Sequence, residues 1–182
     1  NQIPNNVTVL KTNYDTEKLI GYNFEHIVST GNGLSWSSDG EKISFSAKEG
    51  GKYYIFVWDI KRRTYVNKLI WDFEVVSSPS FSPDGNRITF VGTKAGVSNV
   101  YISNIDGSNL IQINNDRYDD DYPVWSPDSK YIAYVSERNW HRNIYMVSTI
   151  EPFEITALTF GPYETTAPSF SPDGKKLTFA SD

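Results

Sequence analysis

The stretch "YPVWSPDSKYIAYVSE", residues 122–137, has an aromatic residue that runs directly into a Ser-Pro-Asp turn and then into a second apolar segment. Similar stretches occur three more times in the chain. Their shared turn aspartates are Asp39, Asp84, Asp128 and Asp173, which are separated by 45, 44 and 45 residues. Because this period is nearly constant, the chain is interpreted as an array of structural repeats.

Each repeat has the composition of several short β-strands. A second phrase begins 15 residues after each of the first three turn aspartates: Tyr54-Ile-Phe-Val-Trp58, Asn99-Val-Tyr-Ile-Ser103 and Asn143-Ile-Tyr-Met-Val147. β-branched and aromatic residues dominate these phrases, and no helical period competes over a long window. About four strands in about 45 residues is typical of one β-propeller blade. The sequence therefore predicts an all-β propeller built from antiparallel strands.

The repeated turn is interpreted as a structural joint and not as a reaction centre. Proline presets the backbone of a type I turn, aspartate accepts hydrogen bonds from nearby amides, and glycine takes the left-handed position. Ser38 replaces the proline of the first turn and Ser129 replaces the glycine of the third, so both turns are expected to be slightly less rigid. The residues predicted to wedge between adjacent blades are Trp36, Phe81, Trp125 and Phe170.

One propeller domain, residues 1–182, is predicted to contain four blades. The predicted blades are residues 26–70, 71–113, 114–166, and a blade split between 167–182 and 1–25. The split is predicted because Asn6-Val-Thr-Val-Leu10 resumes the repeat in phase when the count continues from the last residue to the first. A four-bladed ring in one chain, an eight-bladed ring made by a homodimer, and a piece of a longer array all satisfy this pattern.

Composition excludes several classes of function. The chain has 17 basic and 22 acidic residues, which is a poor match to nucleic acid, and no apolar run is long enough for membrane insertion. Cysteine is absent, and His26 and His141 cannot form a multi-histidine metal site within one chain. No nucleophile elbow, phosphate loop or zinc-protease motif occurs. We therefore expect a protein that is not an enzyme.

Residues 115–122 form the most unusual segment, because four carboxylates lie within six positions. The segment leads into the inner strand of its blade, and we expect it at the face of the ring near the central channel. Tyr118, Asp119, Asp120 and Asp121 are candidate contacts for a ligand or partner. Asp116, Asp119 and Asp121 are weaker candidates for Ca²⁺, since alternate residues of a strand point to opposite faces. The alternative is a solvated loop or structural turn, and no cofactor is otherwise expected.

A second candidate contact is the segment Glu137–Arg142, interpreted as an insert between inner and outer strands. Trp140, His141 and Arg142 have the composition of an interaction hot spot. The alternative interpretation is that Trp140 folds back onto its own blade.

The phrase P-x-[FW]-S-P-D-G-x-x-[IL]-[AT]-F and the following N-[IV]-Y strand resemble the WD40-like (PD40) repeat of the TolB family. The resemblance implies a non-enzymatic binding or scaffolding propeller that presents loops and a channel mouth to a protein, peptide or glycan. It also implies a bacterial periplasmic or cell-surface location and a partner of the peptidoglycan-associated lipoprotein kind. One alternative is an accessory or gating propeller of a peptidase or polyuronate lyase. Another is an enzyme that uses the acidic segment with a metal.

Overall fold

The computed structural model describes residues 24–28, 31 and 33–182, and these residues form strands and turns with no helix. No membrane-spanning helix is therefore found in this part of the chain. The strands, numbered in chain order, are β1 His26–Ile27, β2 Leu34–Trp36, β3 Lys42–Glu49, β4 Lys52–Asp59, β5 Thr64–Leu69, β6 Val75–Phe81, β7 Arg87–Lys94, β8 Val97–Asn104, β9 Ile111–Gln112, β10 Asp120–Trp125, β11 Tyr131–Arg138, β12 His141–Ser148, β13 Ile155–Ala157, β14 Thr165–Phe170 and β15 Leu177–Ser181.

The strands form four consecutive antiparallel sheets, which we call the first to fourth sheets. The first contains β1 to β5, the second has the order β6-β7-β8-β9, the third has the order β10-β11-β12-β13, and the fourth contains β14 and β15. Except for β1 and β2, which both pair with β3, consecutive strands within a sheet pair antiparallel, so each sheet is a meander. The predicted all-β class is confirmed, and the arrangement is that of a partial β-propeller.

In the first sheet the inner strand is divided into two pieces. β1 and β2 both pair with β3, whereas the single strand β6 makes the corresponding pairs with β7. Residues 28–33 separate the two pieces, while only Ser77 and Ser78 occupy that interval in β6. The first sheet therefore has four additional residues at this point. Residues before them correspond to residues 49 positions later in the second sheet, whereas residues after them correspond to residues 45 positions later.

The predicted blade boundaries can be compared with the sheets only in part. The fourth sheet begins at Thr165, two residues before the boundary predicted at residue 167. The split blade depends on residues 1–25, and residues 1–23 lie outside the described residues. The number of blades and the homodimeric ring therefore stay predictions.

The hydrophobic core lies between neighbouring sheets. Ile55 and Leu69 of the first sheet pack against Val76, Ile88 and Phe90 of the second. The next cluster joins the second and third sheets through Val100, Ile102, Ile113, Trp125, Ile132, Tyr134 and Val147. Burying apolar area in this way is the main stabilising term, at about 25 cal/mol per Å².

The residues expected to wedge between sheets differ in their surroundings. Trp125 is 6% exposed, and its indole Nε1 donates a hydrogen bond of 3.0 Å to the carbonyl of Ser80 in the second sheet. Phe81 is also buried, and Phe170 packs against the cluster of Ala133, Val135 and Ile144. Trp36 is 53% exposed, and no sheet precedes it among the described residues.

The four turns share one hydrogen-bond arrangement. In the second, third and fourth turns the hydroxyls of Ser82, Ser126 and Ser171 donate to the turn aspartates at 2.6 Å. Ser37 makes the same bond to Asp39 in the first turn. These serine bonds hold the pKa values of Asp39, Asp128 and Asp173 below their usual range.

Ser129 fills the glycine position of the third turn and has a left-handed backbone with φ of 60°. Its carbonyl accepts hydrogen bonds of 3.0 Å from Arg87 Nη2 and from Thr149 Oγ1. Its hydroxyl accepts a hydrogen bond of 3.3 Å from the amide of Asp84. Ser129 therefore joins the second and third sheets, which opposes the expected loss of rigidity at this turn.

Candidate functional site

The acidic segment does not present its carboxylates to one point. Asp116 forms an ion pair of 2.7 Å with Arg138. Asp119 Oδ1 accepts a hydrogen bond of 2.9 Å from the amide of Ser98 in the second sheet. Asp121 Oδ1 accepts one of 2.7 Å from the hydroxyl of Ser78, also in the second sheet. Two of the four carboxylates therefore connect the third sheet to the second.

Asp120 is the buried member of the segment, with 2% of its surface exposed. The side-chain amide of Asn114 donates a hydrogen bond to its Oδ2, and Ser136 is its partner across the strand pair. Its Oδ1 has no hydrogen-bond partner among the described residues. Burial raises the pKa of Asp120 to about 7, although Ser136 and Asn114 act in the opposite direction.

The hydroxyl of Tyr134 is a second buried polar group without a hydrogen-bond partner in the described part of the chain. Burial raises the pKa of Tyr134, and the neighbouring charge of Asp120 acts in the same direction. The third sheet therefore contains a buried polar region where an apolar core would be less costly.

The candidate calcium ligands Asp116, Asp119 and Asp121 have separate partners, as described above. Within residues 24–28, 31 and 33–182, no group of three or more histidine, aspartate or glutamate side chains is arranged to hold a metal ion. Calcium binding stays a prediction, and calorimetric titration of the protein with Ca²⁺ is its direct measurement.

Trp140 lies at the tip of the hairpin between β11 and β12. Arg138 pairs with His141, so Asn139 and Trp140 form a two-residue loop. The corresponding loops are Gly50-Gly51 and Ala95-Gly96, so the interpretation of residues 137–142 as an insert is wrong. Trp140 is 89% exposed, and the alternative in which it folds back onto its own blade is also wrong.

The backbone of this hairpin tip is unusual for its residues. Asn139 and Trp140 have φ values of 55° and 66°, in the left-handed region. Asparagine tolerates this region, but it is unfavourable for a bulky side chain such as tryptophan. The two other hairpins have glycine at the position of Trp140, where this conformation has little steric cost.

The two candidate groups lie at the same edge of the third sheet. The carbonyl of Asp119 accepts a hydrogen bond of 2.9 Å from the amide of Glu137, two residues before the hairpin tip. His141 Nδ1 lies 3.9 Å from Glu164 Oε1, and the guanidinium of Arg142 lies 5.8 Å from the ring centroid of Tyr122. We call this edge the hairpin face, and it comprises Tyr118, Asp119, Asn139, Trp140, His141 and Arg142.

Two residues at the equivalent hairpin edges of the first and second sheets were not predicted from the sequence. Glu25 Oε1 accepts a hydrogen bond of 2.7 Å from the amide of Gly51 in the first hairpin. Glu74 accepts bonds of 2.9 Å and 3.3 Å from the amides of Ala95 and Gly96 in the second. A Phe-Glu pair marks this cap in both sheets, as Phe24-Glu25 and Phe73-Glu74. The additional residues in the first sheet place the two pairs 49 positions apart, so they do not align at the 45-residue period.

Comparison with known proteins identifies the family. Residues 21–182 match the family described as the TolB beta propeller domain. This chain belongs to the TolB β-propeller family. It is 31% identical over 167 residues to the Tol-Pal system protein TolB of Francisella tularensis subsp. mediasiatica. That match covers 87% of this chain and 38% of the relative, so the TolB-type chain spans less than half the relative's length.

Two solved structures share the fold of this TolB-type propeller. TolB from Acinetobacter baumannii superposes with a TM-score of 0.70 at 24% identity, over 85% of this chain and 37% of that chain. The putative TolB from Agrobacterium tumefaciens gives a TM-score of 0.68 at 23% identity, over 81% and 57% of the two chains. The resemblance to the TolB family is confirmed, and the family is that of a β-propeller domain.

Proposed function

We propose that this propeller binds a protein or peptide partner through the hairpin face. The observation that carries the proposal is Trp140, which is 89% exposed and has a backbone conformation unfavourable for its side chain. The corresponding hairpins of the first and second sheets have glycine at this position, so the fold does not require a tryptophan there. A strained, exposed aromatic residue at one repeat only is typical of a contact site and not of a structural role.

Neighbouring exposed side chains extend the same surface. Phe160 and Tyr163 lie on the connection from β13 to β14 and are exposed. This connection is next to the hairpin, because Asn143 Nδ2 donates to the carbonyl of Gly161 at 3.4 Å and Glu164 lies beside His141. An aromatic centre with charged groups around it is the composition of a protein-binding surface.

The proposed setting is the bacterial periplasm or cell surface, and the proposed partner is a component of the Tol-Pal assembly. The support is that the similar proteins of known name are Tol-Pal system proteins. The alternative of an accessory propeller for a peptidase or polyuronate lyase has no support from these relatives.

The test is direct binding to the peptidoglycan-associated lipoprotein encoded in the same genome, measured by biolayer interferometry. Trp140→Ala should weaken binding at least about tenfold, since truncating a hot-spot aromatic typically costs about 2 kcal/mol or more. Ile150→Ala is the matched control, because Ile150 is 72% exposed and lies beyond the opposite end of β12. The control should bind like the unmodified protein.

Two outcomes would contradict the proposal. One is an absence of lipoprotein binding by the unmodified chain. The other is equal binding by the Trp140→Ala and unmodified proteins, which would place the contact on another surface.

A further inference from the structure

The hairpin tips of the first two sheets are closed by carboxylates of this chain. Glu25 receives the amide of Gly51, and Glu74 receives the amides of both Ala95 and Gly96. Amides in a tight turn with positive φ point outward and together form a concave binding place for an anion. A glutamate immediately before the inner strand thus supplies the anion in both cases.

The third hairpin has no such carboxylate. Strand register places Tyr118 at the position of Glu74, because Asp120 pairs with Ser136 as Val76 pairs with Gly92. The ring of Tyr118 lies 5.2 Å from the guanidinium of Arg138. No side chain in the described part of the chain accepts a hydrogen bond from the amide of Asn139 or Trp140.

The charges near this open tip favour an anion. Arg117 and Arg142 have no carboxylate within ion-pair distance among the residues that the structure describes, whereas Arg138 is paired with Asp116. Both unpaired guanidinium groups lie beside aromatic rings, Arg117 at 5.6 Å from Tyr118 and Arg142 at 5.8 Å from Tyr122. Three carboxylates nearby oppose an anion: Glu137, which lies opposite Arg142 in the strand register, Asp119, which accepts the Ser98 amide, and Glu164, which lies beside His141.

We propose that the hairpin tip Asn139–Trp140 receives a carboxylate of an acidic partner segment, which takes the place that Glu74 has in the second sheet. The partner's aspartate or glutamate accepts the two tip amides, Arg117 and Arg142 complement its charge, and Trp140 packs against its apolar part. This inference rests on the proposed function and specifies the chemistry of the partner at the hairpin face.

The experiment is a ¹⁵N NMR titration of the full chain with two capped peptides, acetyl-Gly-Glu-Glu-Gly-amide and its Gln-Gln counterpart. At about 1–10 mM peptide, a range suited to a single weak contact, the Glu peptide should shift the amide resonances of Asn139 and Trp140. The Gln peptide should shift them several-fold less. The amides of Ala95 and Gly96 serve as an internal control, because Glu74 already occupies their site.

Two variants test the mechanism. Tyr118→Glu supplies an internal cap to the third hairpin and should abolish the response of Asn139 and Trp140. Glu74→Ala removes the cap of the second hairpin and should give Ala95 and Gly96 a new response to the Glu peptide. A dispersed spectrum shows that each variant remains folded.

Equal shifts with the Glu and Gln peptides, no shift with either, or an unchanged response in Tyr118→Glu would overturn the inference. The lipoprotein assay separates this result from the proposed function. If lipoprotein binding depends on Trp140 while the Glu peptide leaves the tip amides unshifted, the binding face stands and the carboxylate site is wrong.

Discussion

The second and third sheets have the same strand pairing and the same turns, yet their hairpin edges have opposite chemistry. In the second sheet Trp71 stacks on Phe90 at 4.4 Å between ring centroids, and Phe73 lies 4.6 Å from Tyr101. This packing is so close that a Cβ on Gly92 would lie 2.9 Å from the ring of Phe73. Behind the Glu74 cap, the packing of the second sheet is therefore apolar and close.

The third sheet replaces this packing with polar groups at matched positions. Arg117 stands in the place of Phe73, Asp120 in the place of Val76, and Ser136 in the place of Gly92. Tyr118 likewise replaces the capping Glu74. The repeat determines strand register in both sheets, but it does not determine what the edge contacts. Departures from the local rules of stability at one repeat are the expected mark of a binding surface.

The largest expected effect comes from placing the acid of the third sheet into the second. Val76→Asp should lower the free energy of unfolding by about 3–5 kcal/mol, because it buries a charge without a partner. Val76 lies within the apolar cluster of Ile55, Leu69 and Ile88, with no equivalent of Ser136. Urea denaturation followed by circular dichroism measures the change. Val75→Asp, at a less buried position of the same strand, is the control, and equal stability of the two variants would contradict the comparison.

The next prediction concerns Asp120 itself, whose titration makes the free energy of unfolding depend on pH. The folded protein retains the Asp120 proton to a pKa of about 7, whereas the ordinary value is 3.8. The stabilising contribution of this proton is therefore complete below pH 3.8 and is lost as the pH rises towards about 7. A shift of this size corresponds to a loss on the order of 4 kcal/mol.

Asp120→Asn removes this titration while retaining the shape of the side chain. The difference in unfolding free energy between the variant and the unmodified protein should grow between pH 4 and pH 7 and then become constant, at about pH 7 and above. Subtracting the two proteins cancels the contribution of the turn aspartates, whose lowered pKa values act in the opposite direction. A difference that does not vary with pH would show that Asp120 titrates normally.

Trp140 allows a smaller test of the strain at the third hairpin. Trp140→Gly should raise the free energy of unfolding by up to about 1 kcal/mol, because glycine adopts the left-handed backbone without steric cost. Trp140→Ala retains the backbone strain and should show no such gain. Thermal unfolding distinguishes the two variants, and both should lose affinity for the lipoprotein. A gain in Trp140→Ala equal to that in Trp140→Gly would assign the effect to the exposed ring.

The sequence was sufficient for features that the repeat imposes and insufficient for those that depend on a β-bulge or on the length of a hairpin loop. The Ser-Pro-Asp-Gly phrase carries its turn locally, so the period and the all-β class could be predicted. The inward orientation of Asp120 could not be predicted from a run of carboxylates, because a β-bulge between Asp121 and Val124 shifts the pairing. The exposure of Trp140 depends on a two-residue hairpin whose length is visible only when strands β11 and β12 are paired.

The smallest expected effect concerns the carboxylate cap that distinguishes the second hairpin from the third. Glu74→Ala should lower the free energy of unfolding by about 0.5–1 kcal/mol, because two turn amides lose an exposed acceptor and regain it only from water. Tyr118→Phe is the control at the matched position, where no cap exists and no comparable loss is expected. Hydrogen exchange should report the same contrast locally, with faster exchange of the Ala95 and Gly96 amides in Glu74→Ala and unchanged exchange of Asn139 and Trp140. Unaltered exchange at Ala95 would mean that the hairpin edges of the second and third sheets do not differ in this respect.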